Sequence, residues 1–417
     1  MQEILVLNSG SSSVKFALYH VGTAYYAMDE DATGTPKEAL TLSYSGHFSG
    51  LATSQCRVSL VHKKVGQQPH HYELQALQAM GLTPATNHEE AITKLMVWLD
   101  QRDDKGTLIA IGHRVVHGGQ TYHEAVRLSA NDVAELEKFS SLAPLHQPHG
   151  LAPIKLLMEQ VPDVPQIACF DTAFHARQPW VARQFALPRE LTAKGLIRYG
   201  FHGLSYDYIQ RTLPNVLPKN APRSRVIVAH LGNGASLCAI RDGVSIASTM
   251  GFTALDGLPM GTRSGTLDPG LVLHLIGQEK MSVEEVSSLL YKQSGLLGVS
   301  GISSDMRELL ASDAPEAEEA VELYCYRAAR EIASLAGALG GLDQLVFTAG
   351  IGEHAAAVRA RIVAQCEWLD MQLDEQANHH NAICISAADS GVGVWVIPTD
   401  EERVIAIDCL TLLNKAD

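Results

Sequence analysis

Short apolar runs broken by polar turns set the pattern at the start of the chain. Ile4 to Leu7 is an apolar run, the polar stretch NSGSSS follows it, and the apolar pattern resumes in VKFALYH. Apolar runs bounded by Ser and Gly clusters are typical of strands joined by a turn. Residues 3–20 are therefore predicted to form a strand, a turn with an unusually polar tip, and a second strand.

The same layout returns in the second half of the chain. Residues 226–230 (VIVAH) are apolar, and LGNGAS and then LCAI follow them. When Val6 is aligned with Val228, Asn8 falls on His230. Each hairpin opens its own block of mixed strand and helix patterns, so the sequence predicts two related α/β domains with a cleft between them. The alternative is a chance similarity between two short hairpins.

Helical periodicity supports an α/β chain. Apolar residues recur at spacings of three and four in several segments, which is the pattern of a helix with one buried face. The clearest predicted helices are residues 131–142, 282–292 and 317–339.

Length and charge narrow the classes of function. The chain has 417 residues, 46% of them hydrophobic, and a single core rarely serves more than about 250–300 residues. The formal net charge is −14, from 32 Lys plus Arg against 46 Asp plus Glu, so the average surface field repels nucleic acid and anionic membranes. A bound polyphosphate would have to be held by local positive groups and a metal ion.

The cysteines and the start of the chain indicate a cytoplasmic protein. The chain has 7 cysteines, an odd number without a C-x-x-C pair, which argues against a disulfide framework and against a zinc site. The opening MQEILVLNSG lacks the pattern of a secretory signal, and no apolar run approaches the roughly 18 residues of a membrane span.

Both hairpin tips are candidate phosphate sites. The first, Asn8 to Lys15, offers closely spaced backbone N–H groups, hydroxyls and a lysine. The second, His230 to Ser236, makes a similar offer from the other predicted domain. Successive backbone N–H groups in a turn can bind phosphate, although most Ser- and Gly-rich turns are only turns. Two such tips are what an ATP site between two domains needs.

Two arginines are candidates for binding anions. In GHRVVHGG, side-chain alternation along a strand predicts Arg114 and Val116 on one face, so that a charge and an apolar group face the same volume. Arg263 lies in the Gly-rich loop GLPMGTRSG. Guanidinium groups recognise carboxylates and phosphates with paired hydrogen bonds. The alternative for Arg114 is an arginine at a strand end with its head in water.

Three further polar residues are candidates by position. Asp171 ends the apolar run of CFDTAFH, His202 lies among glycines and aromatics in RYGFHG, and Glu401 follows a strand-like run in VWVIPTDEE. A carboxylate at a strand end can reach a metal ion. The alternative for Asp171 and His202 is a hydrogen-bonded polar residue in a turn, which is the usual case for a lone Asp or His, and the alternative for Glu401 is an acidic pair on a solvated loop.

Taken together, the ordered motifs resemble those of the acetate kinase family, over residue 4 to about residue 403. The motifs are NSGSSSVKF, GHRVVHGG, FDTAFH, RYGFHG, HLGNGAS, STMGFTALDGLPMGTRSGTLDP, SGISSDMRE, VFTAGIGE and IPTDEE. The resemblance implies the ribonuclease H-like α/β fold shared by acetate and sugar kinases, heat-shock chaperone ATPases and actin, with two duplicated domains and an interdomain active site. By this resemblance the first domain is residues 1–171, with 403–417 returning to it, and the second is 172–402.

The resemblance also implies roles for individual residues. The Mg²⁺ ligands fall on Asn8 and Glu401. The catalytic set comprises Arg114, Asp171, His202, Asn233 and Arg263. Arg114 binds the acyl carboxylate, and the acyl pocket comprises Val116, Leu145, Phe201 and Ala254. The ATP site comprises Ser13, Lys15, His230, Leu231, Gly232, Asn233, Gly234, Asp305, Met306, Arg307, Gly350, Ile351, Gly352, Glu353 and His354.

Two departures from the family pattern affect specificity. His354 replaces a usual asparagine, which leaves the preference between ATP and GTP open. Ala254 replaces a usual proline beside the acyl pocket, whereas the β-branched Val116 argues for acetate.

The resemblance implies a homodimeric acetate kinase. It would transfer a phosphoryl group directly and in line between ATP and acetate, giving ADP and acetyl phosphate, with Mg²⁺ as cofactor and with neither nucleic acid nor a membrane as partner. Propionate or butyrate kinase remains an alternative within the family. An ATPase of the chaperone or actin type is the alternative from another class.

Overall fold

The computed structural model describes residues 1–10, 12–22, 40–53, 56–64, 66–143 and 146–415, apart from the side chain of Ser141. Leu145, one of the predicted acyl-pocket residues, lies outside these ranges. The chain divides into two compact units. The first comprises Met1–Ala173 and Asp400–Asp417, and the second comprises Phe174–Thr399.

The first unit is built on a sheet of eight strands in the order β5-β4-β3-β2-β1-β6-β8-β7. The strands are β1 Gln2–Gly10, β2 Ser13–Val21, β3 Leu40–Ser49, β4 Arg57–His62, β5 His70–His71, β6 Thr107–Val115, β7 Val126–Arg127 and β8 Gln166–Phe170. Its helices are α1 Leu74–Ala79, α2 His88–Gln101, α3 Ala130–Glu137, α4 Gln147–Gln160 and, from the end of the chain, α16 Glu401–Asn414.

The first predicted hairpin is present, but its turn is tighter than the polar stretch indicated. Gly10 lies opposite Ser13 in the antiparallel ladder of β1 and β2, so only residues 11 and 12 separate the two strands. Asn8 therefore belongs to β1 rather than to the turn. Ladder hydrogen bonds with β2 hold these short polar residues in a strand, since strand propensity is weak compared with pairing.

Helix α16 packs against the sheet of the first unit beside β1 and β6. Gly112 of β6 permits this approach, because a side chain there would collide with Ile405 and Cys409 of the helix. Asp400 caps α16 by accepting a hydrogen bond from the backbone N–H of Arg403 at 2.9 Å. The sheet and the cap together fix the first turn of α16, where Glu401 lies.

The second unit repeats the central part of the first sheet. Its strands are β9 Arg225–Leu231, β10 Ala235–Arg241, β11 Val244–Ser248, β12 Gln344–Thr348 and β13 Gly393–Val396. Their order is β11-β10-β9-β12-β13. β9 is antiparallel to β10 and parallel to β12, and β13 is parallel to β12. The strands β3-β2-β1-β6-β8 have the same order and directions, so the predicted duplicated α/β fold is confirmed.

Helices surround this second sheet. They are α5 Trp180–Arg183, α6 Arg189–Ala193, α7 Gly203–Val216, α8 Pro269–Gly277, α9 Val283–Lys292, α10 Gly295–Ser300, α11 Met306–Leu310, α12 Pro315–Leu339, α13 Ala349–His354, α14 Ala356–Ala364 and α15 Glu375–His379. The predicted helices at 282–292 and 317–339 correspond to α9 and α12. The predicted helix at 131–142 divides into α3 and a 3₁₀ turn, Lys138–Ser141.

Two further features are the state of the cysteines and the length and polarity of the helices. All of the cysteines carry free thiols, and most of them are buried. Within the described ranges no helix is both long and apolar enough to cross a membrane.

Candidate active site

The first unit gathers several predicted site residues at one edge of its sheet. Arg114 lies near the end of β6, and Asp171 directly follows β8, the parallel neighbour of β6. The guanidinium donates from Nε to Oδ1 of Asp171 at 2.9 Å and from Nη2 to Oδ2 at 2.7 Å. Its Nη1 lies 3.1 Å from Oε2 of Glu401. Parallel strands end at the same edge of a sheet, which explains why these groups meet.

Glu401 reaches this cluster from a helix, not from a strand end as predicted. β13 ends at Val396, and Glu401 is the first residue of α16, after the capping residue Asp400. The positive end of the helix dipole favours a carboxylate in this turn. The sequence D-E-E before an apolar run is a helix-start signal, and it indicates the element that carries Glu401 better than the preceding apolar run VWVI does.

Negative charge exceeds positive charge around Arg114. Burial alone would lower the pKa of Arg114, but Asp171 and Glu401 outweigh burial and raise it. Burial raises the pKa of Glu401 well above its ordinary range, and although Arg114 opposes this, Asp171 and Glu402 add to it. A further positive group near Glu401 would therefore stabilise its charged form.

Asn8 and Lys15 join the cluster through the first hairpin. They are directly opposite in the ladder of β1 and β2, so their side chains share one face of the sheet. The Asn8 amide donates from Nδ2 to Glu401 at 3.5 Å and to Glu402 at 3.4 Å. Its Oδ1 accepts from Nη1 of Arg114 at 3.4 Å. Ser13, the first residue of β2, lies beside Gly10.

The donor atoms of this cluster suit Mg²⁺. Asn8, Glu401 and Glu402 offer amide and carboxylate oxygens, which are the ligands that hard cations prefer. No group of three or more His, Cys, Asp or Glu side chains in the described ranges is arranged to enclose a metal ion. Mg²⁺ usually keeps several waters and takes only one or two protein carboxylates, so a sparse oxygen site fits it.

Val116 lies just outside the element from which its direction was predicted. β6 ends at Val115, and Val116 stands at a bend, partly exposed. Strand alternation therefore does not by itself put Arg114 and Val116 on one face. Among the other acyl-pocket residues, Phe201 and Ala254 belong to the second unit.

In the second unit, His202 immediately precedes α7 as its N-cap residue, in a left-handed conformation with φ of 58°. Such a backbone is uncommon for a residue with a side chain. The imidazole of His202 is stacked on that of His230, with centroids 4.2 Å apart and an interplanar angle of 17°. Nδ1 of His230 is hydrogen-bonded to the hydroxyl of Ser205 at 2.9 Å. The fold thus fixes both rings.

The second hairpin loop brings His202 and Arg263 to one point. A Cβ built on Gly234 would lie 3.3 Å from Nε2 of His202 and 3.9 Å from Nη1 of Arg263. Arg263 also donates from Nη1 to the carbonyl of Ala254 at 3.0 Å. The backbone of Asn233 accepts from the Gly261 N–H at 3.3 Å, and the Asn233 amide fills the space of a side chain at position 261.

The predicted nucleotide residues are of two kinds. One kind adjoins the second hairpin loop: a Cβ on Gly232 would lie 3.6 Å from that of Ala349, the first residue of α13, which holds Gly350, Ile351, Gly352, Glu353 and His354. Glu353 accepts from the backbone N–H of Ala349 at 2.8 Å. The exposed imidazole of His354 lies 4.0 Å, measured from Nε2, from Oε2 of Glu353.

The other kind makes local contacts on α11. Asp305 caps this helix and forms an ion pair with Arg307, whose side chain is 90% exposed. The side chains of Met306 on α11 and of Leu231 at the end of β9 are buried in the interior. Only the backbones of these two residues could contact a nucleotide.

Sequence reasoning missed several residues that support these groups. The sequence assigns Glu402 no role of its own. It assigns none to Tyr206 or Arg359, and Ser236 is only the last residue of the second hairpin tip, because the partners of these residues are distant in sequence. The one signal for Arg359 is an arginine within an apolar helix pattern.

Comparison with known proteins agrees with the resemblance. The model of the Acetokinase family matches residues 3–407. An acetate kinase of Rhodopseudomonas palustris is 50% identical over 408 residues, covering 97% of this chain and 96% of that protein. An acetate kinase of Methylocella silvestris is 46% identical over 412 residues, covering 99% of this chain and 98% of that protein.

Solved structures give the same result. A propionate kinase from Francisella tularensis has a TM-score of 0.83 at 36% identity and covers 98% of this chain and 99% of that chain. The acetate kinase of Porphyromonas gingivalis has a TM-score of 0.79 at 33% identity and covers 99% of this chain and 100% of that chain.

Proposed function

The chain belongs to the acetokinase family, and on that premise we propose that it transfers the γ-phosphoryl group of ATP reversibly to acetate. Acetate kinases are phosphotransferases with a carboxyl group as acceptor. The observation that carries the proposal is the cluster in which Arg114 contacts Asp171, Glu401 and Asn8. An arginine fixed in this way is preorganised to receive a carboxylate rather than free to turn into water.

The reaction needs no general base in the forward direction. One oxygen of the acetate carboxylate attacks the γ-phosphorus, the bond from that phosphorus to the β,γ-bridging oxygen breaks, and ADP leaves. The acceptor is already an anion, so no proton has to be removed from it. Asp171 is then an orienting group for Arg114, with which it shares two hydrogen bonds.

We propose that the second unit stabilises the transferring phosphoryl group. Charge in the transition state spreads over its equatorial oxygens, so preorganised donors supply most of the catalysis. His202, Arg263 and Asn233 offer such donors around the second hairpin loop. We assign nucleotide binding to His230–Gly234, to Asp305–Arg307 and to Gly350–His354, with Ser13 and Lys15 from the first hairpin.

We propose that Asn8 and Glu401, with Glu402 close by, hold Mg²⁺. The support is the oxygen-only donor set and the excess of carboxylates over guanidinium in this cluster. When bound, Mg²⁺ would neutralise charge on the nucleotide phosphates. The chain's own contribution is to orient these oxygens through the hairpin ladder and the first turn of α16.

Propionate is the second candidate acceptor. The similarity to a propionate kinase structure favours it, and Ala254 leaves more space than a proline would. Val116 argues for acetate, because at this position of the family's acyl pocket a β-branched side chain leaves less room for a longer acyl chain. We propose acetate as the preferred acceptor and propionate as a weaker one.

We also propose a cytoplasmic homodimer. Free thiols at every cysteine are typical of a reducing compartment. On α8, Leu271, Leu273 and Ile276 are exposed, and exposed apolar helix faces often mark protein interfaces. Light scattering should give a dimer mass for the wild type and a monomer mass for Leu273→Asp. Val181→Asp, at another exposed apolar position, is the control and should remain a dimer.

The proposal is tested by kinetics of arginine variants with acyl phosphate trapped as the hydroxamate. Arg263→Ala and Arg114→Ala should each lower kcat/KM by about tenfold to a thousandfold. Arg114→Lys keeps a charge next to the buried Asp171 but loses the paired donors, so it should also be impaired. Arg211→Ala, which removes an exposed ion pair with Asp207 on α7, is the control. Unchanged turnover in a folded variant would remove that arginine from the site.

His202→Ala separates a transition-state role from a binding role. We expect kcat to fall much more than the KM for ATP rises, because the proposed contact strengthens in the transition state. Equal changes in the two parameters would indicate a structural histidine.

A further inference from the structure

Behind His202 lies a chain of buried hydrogen bonds. The hydroxyl of Tyr206 is 2.5 Å from that of Ser236, and the Ser236 hydroxyl is 2.8 Å from Nδ1 of His202. Tyr206 and Ser236 are both 0% exposed. Tyr206 lies one turn along α7 from His202, and Ser236 is the second residue of β10. Two elements of the second unit therefore hold one imidazole nitrogen.

The direction of each hydrogen bond follows from the partners that are present. In the described part of the chain, Ser236 is the one hydrogen-bond partner of the Tyr206 hydroxyl. Burial raises the pKa of Tyr206 well above its ordinary value, so its proton stays on. A buried donor left unused costs about 1–3 kcal/mol, so Tyr206 donates to Ser236. The single proton of Ser236 is then directed to Nδ1 of His202.

We propose that Ser236 and Tyr206 are positioning residues that hold neutral His202 as the tautomer with its proton on Nε2. Because Nδ1 accepts from Ser236, the ring proton must be on the other nitrogen. Nε2 lies 3.3 Å from the point where a Cβ on Gly234 would stand, and Nη1 of Arg263 lies 3.9 Å from the same point. The inference rests on the proposed role of His202, and it makes the ring a hydrogen-bond donor toward an oxygen of the transferring phosphoryl group.

The surroundings of His202 make the neutral form the relevant one. From β9, the stacked imidazole of His230 opposes a second positive charge. The Arg263 guanidinium, in the loop that follows β11, also opposes a positive charge on His202. On its own helix, Tyr206 contributes a neutral hydroxyl. A neutral imidazole has two tautomers, and only one of them donates from Nε2.

Ser236→Ala tests this through the pH dependence of kcat. Without the Ser236 proton, neutral His202 can place its own proton on Nδ1 and lose the Nε2 donor. We expect kcat to fall about tenfold to a hundredfold at pH near 8.5, with the KM for ATP within about twofold of wild type. As the pH is lowered toward 5.5, any protonation of His202 gives an imidazolium that donates from both nitrogens, so the ratio of wild-type to variant kcat should fall.

Tyr206→Phe should show the same trend to a smaller extent. Without the Tyr206 donor, the Ser236 proton is no longer directed only to Nδ1 of His202. Ser245→Ala is the matched control: it removes a buried serine bonded to Nδ1 of His175 at 2.9 Å. Nε2 of His175 is already bonded to the carbonyl of Phe201 at 2.9 Å, so any loss in this variant should be the same at both pH values. A kcat for Ser236→Ala that equals the wild-type value at pH near 8.5 would overturn the proposal.

A measurement on the wild type keeps the test independent of variant folding. Nitrogen-15 NMR of histidine-labelled protein, assigned with His202→Gln, should give His202 a protonated Nε2 and an unprotonated Nδ1 at pH 8. A protonated Nδ1 would overturn the proposal. If His202→Ala keeps full turnover, the proposed role of His202 fails; if it is impaired while the tautomer is wrong, only the present inference fails.

Discussion

Arg359 on α14 is a fully buried arginine whose hydrogen bonds go to uncharged groups. Its guanidinium donates to the carbonyls of Gly352 and Glu353 at 2.9 and 3.0 Å. It also donates to the carbonyl and Oδ1 of Asn378 at 2.7 and 2.8 Å and to Oδ1 of Asn381 at 2.7 Å. Burial lowers its pKa to about 10, so it is charged at neutral pH. It therefore joins α13, which holds the proposed nucleotide-binding residues Gly350–His354, to α15 and the turn after it.

Replacement by methionine should destabilise the second unit by about 3 kcal/mol. Each buried acceptor left without a donor costs about 1–3 kcal/mol. The methionine variant also avoids the cost of burying a charge that has no acidic partner, and this gain offsets part of the destabilisation. The net value is therefore smaller than the total for the five acceptors. For a unit of this size, that value lowers the melting temperature by about 6–12 °C.

Thermal melting and ATP kinetics measure the two consequences separately. With the carbonyls of α13 released, the KM for ATP should rise at least about fivefold, while the KM for acetate should stay within about twofold. Arg361→Met is the control, because it removes only the exposed ion pair with Glu318, which is worth about 0–1 kcal/mol. A variant Arg359→Met with wild-type melting and wild-type ATP kinetics would refute the reasoning.

Two further predictions concern specificity and pH. Val116→Ala should shift the ratio of kcat/KM toward propionate by about threefold to tenfold, within the 1–3 kcal/mol that one methylene supplies; an unmoved ratio would remove Val116 from the acyl pocket. Burial lowers the pKa of His175 from 6.5 to about 4, so the unfolded chain takes up a proton first as pH falls. Denaturant unfolding should therefore show stability present above pH 6.5 and lost toward pH 4, by up to about 1.4 kcal/mol per pH unit. His175→Gln should flatten this slope, and an equally steep slope in that variant would contradict the assignment.

The duplicated hairpins could be predicted because their signals are local. A polar turn between two apolar runs is visible in a window of about 20 residues, and the motif order identified the family. The order of the strands could not be read in the same way. β1 pairs with β6, whose residues lie about a hundred positions later, and no short-range pattern specifies such a partner.

The candidate site could be predicted only where chemistry and local position agree. Arg114, Asp171 and His202 occupy the strand end and turns that their motifs indicated. Glu401 was expected at a strand end because the apolar run hid the helix start. Ser236 and Arg359 were missed because each acts through a partner that only folding brings near.

The central claim is tested most directly by trapping the product of the wild-type protein with hydroxylamine. With ATP, Mg²⁺ and acetate, the account predicts acetyl hydroxamate in amounts equal to the ADP formed, no product without Mg²⁺, and a weaker signal with propionate. An ATPase of the chaperone or actin type would release ADP and phosphate whether or not acetate is present. ADP formation that does not depend on acetate, with no hydroxamate, would contradict the account.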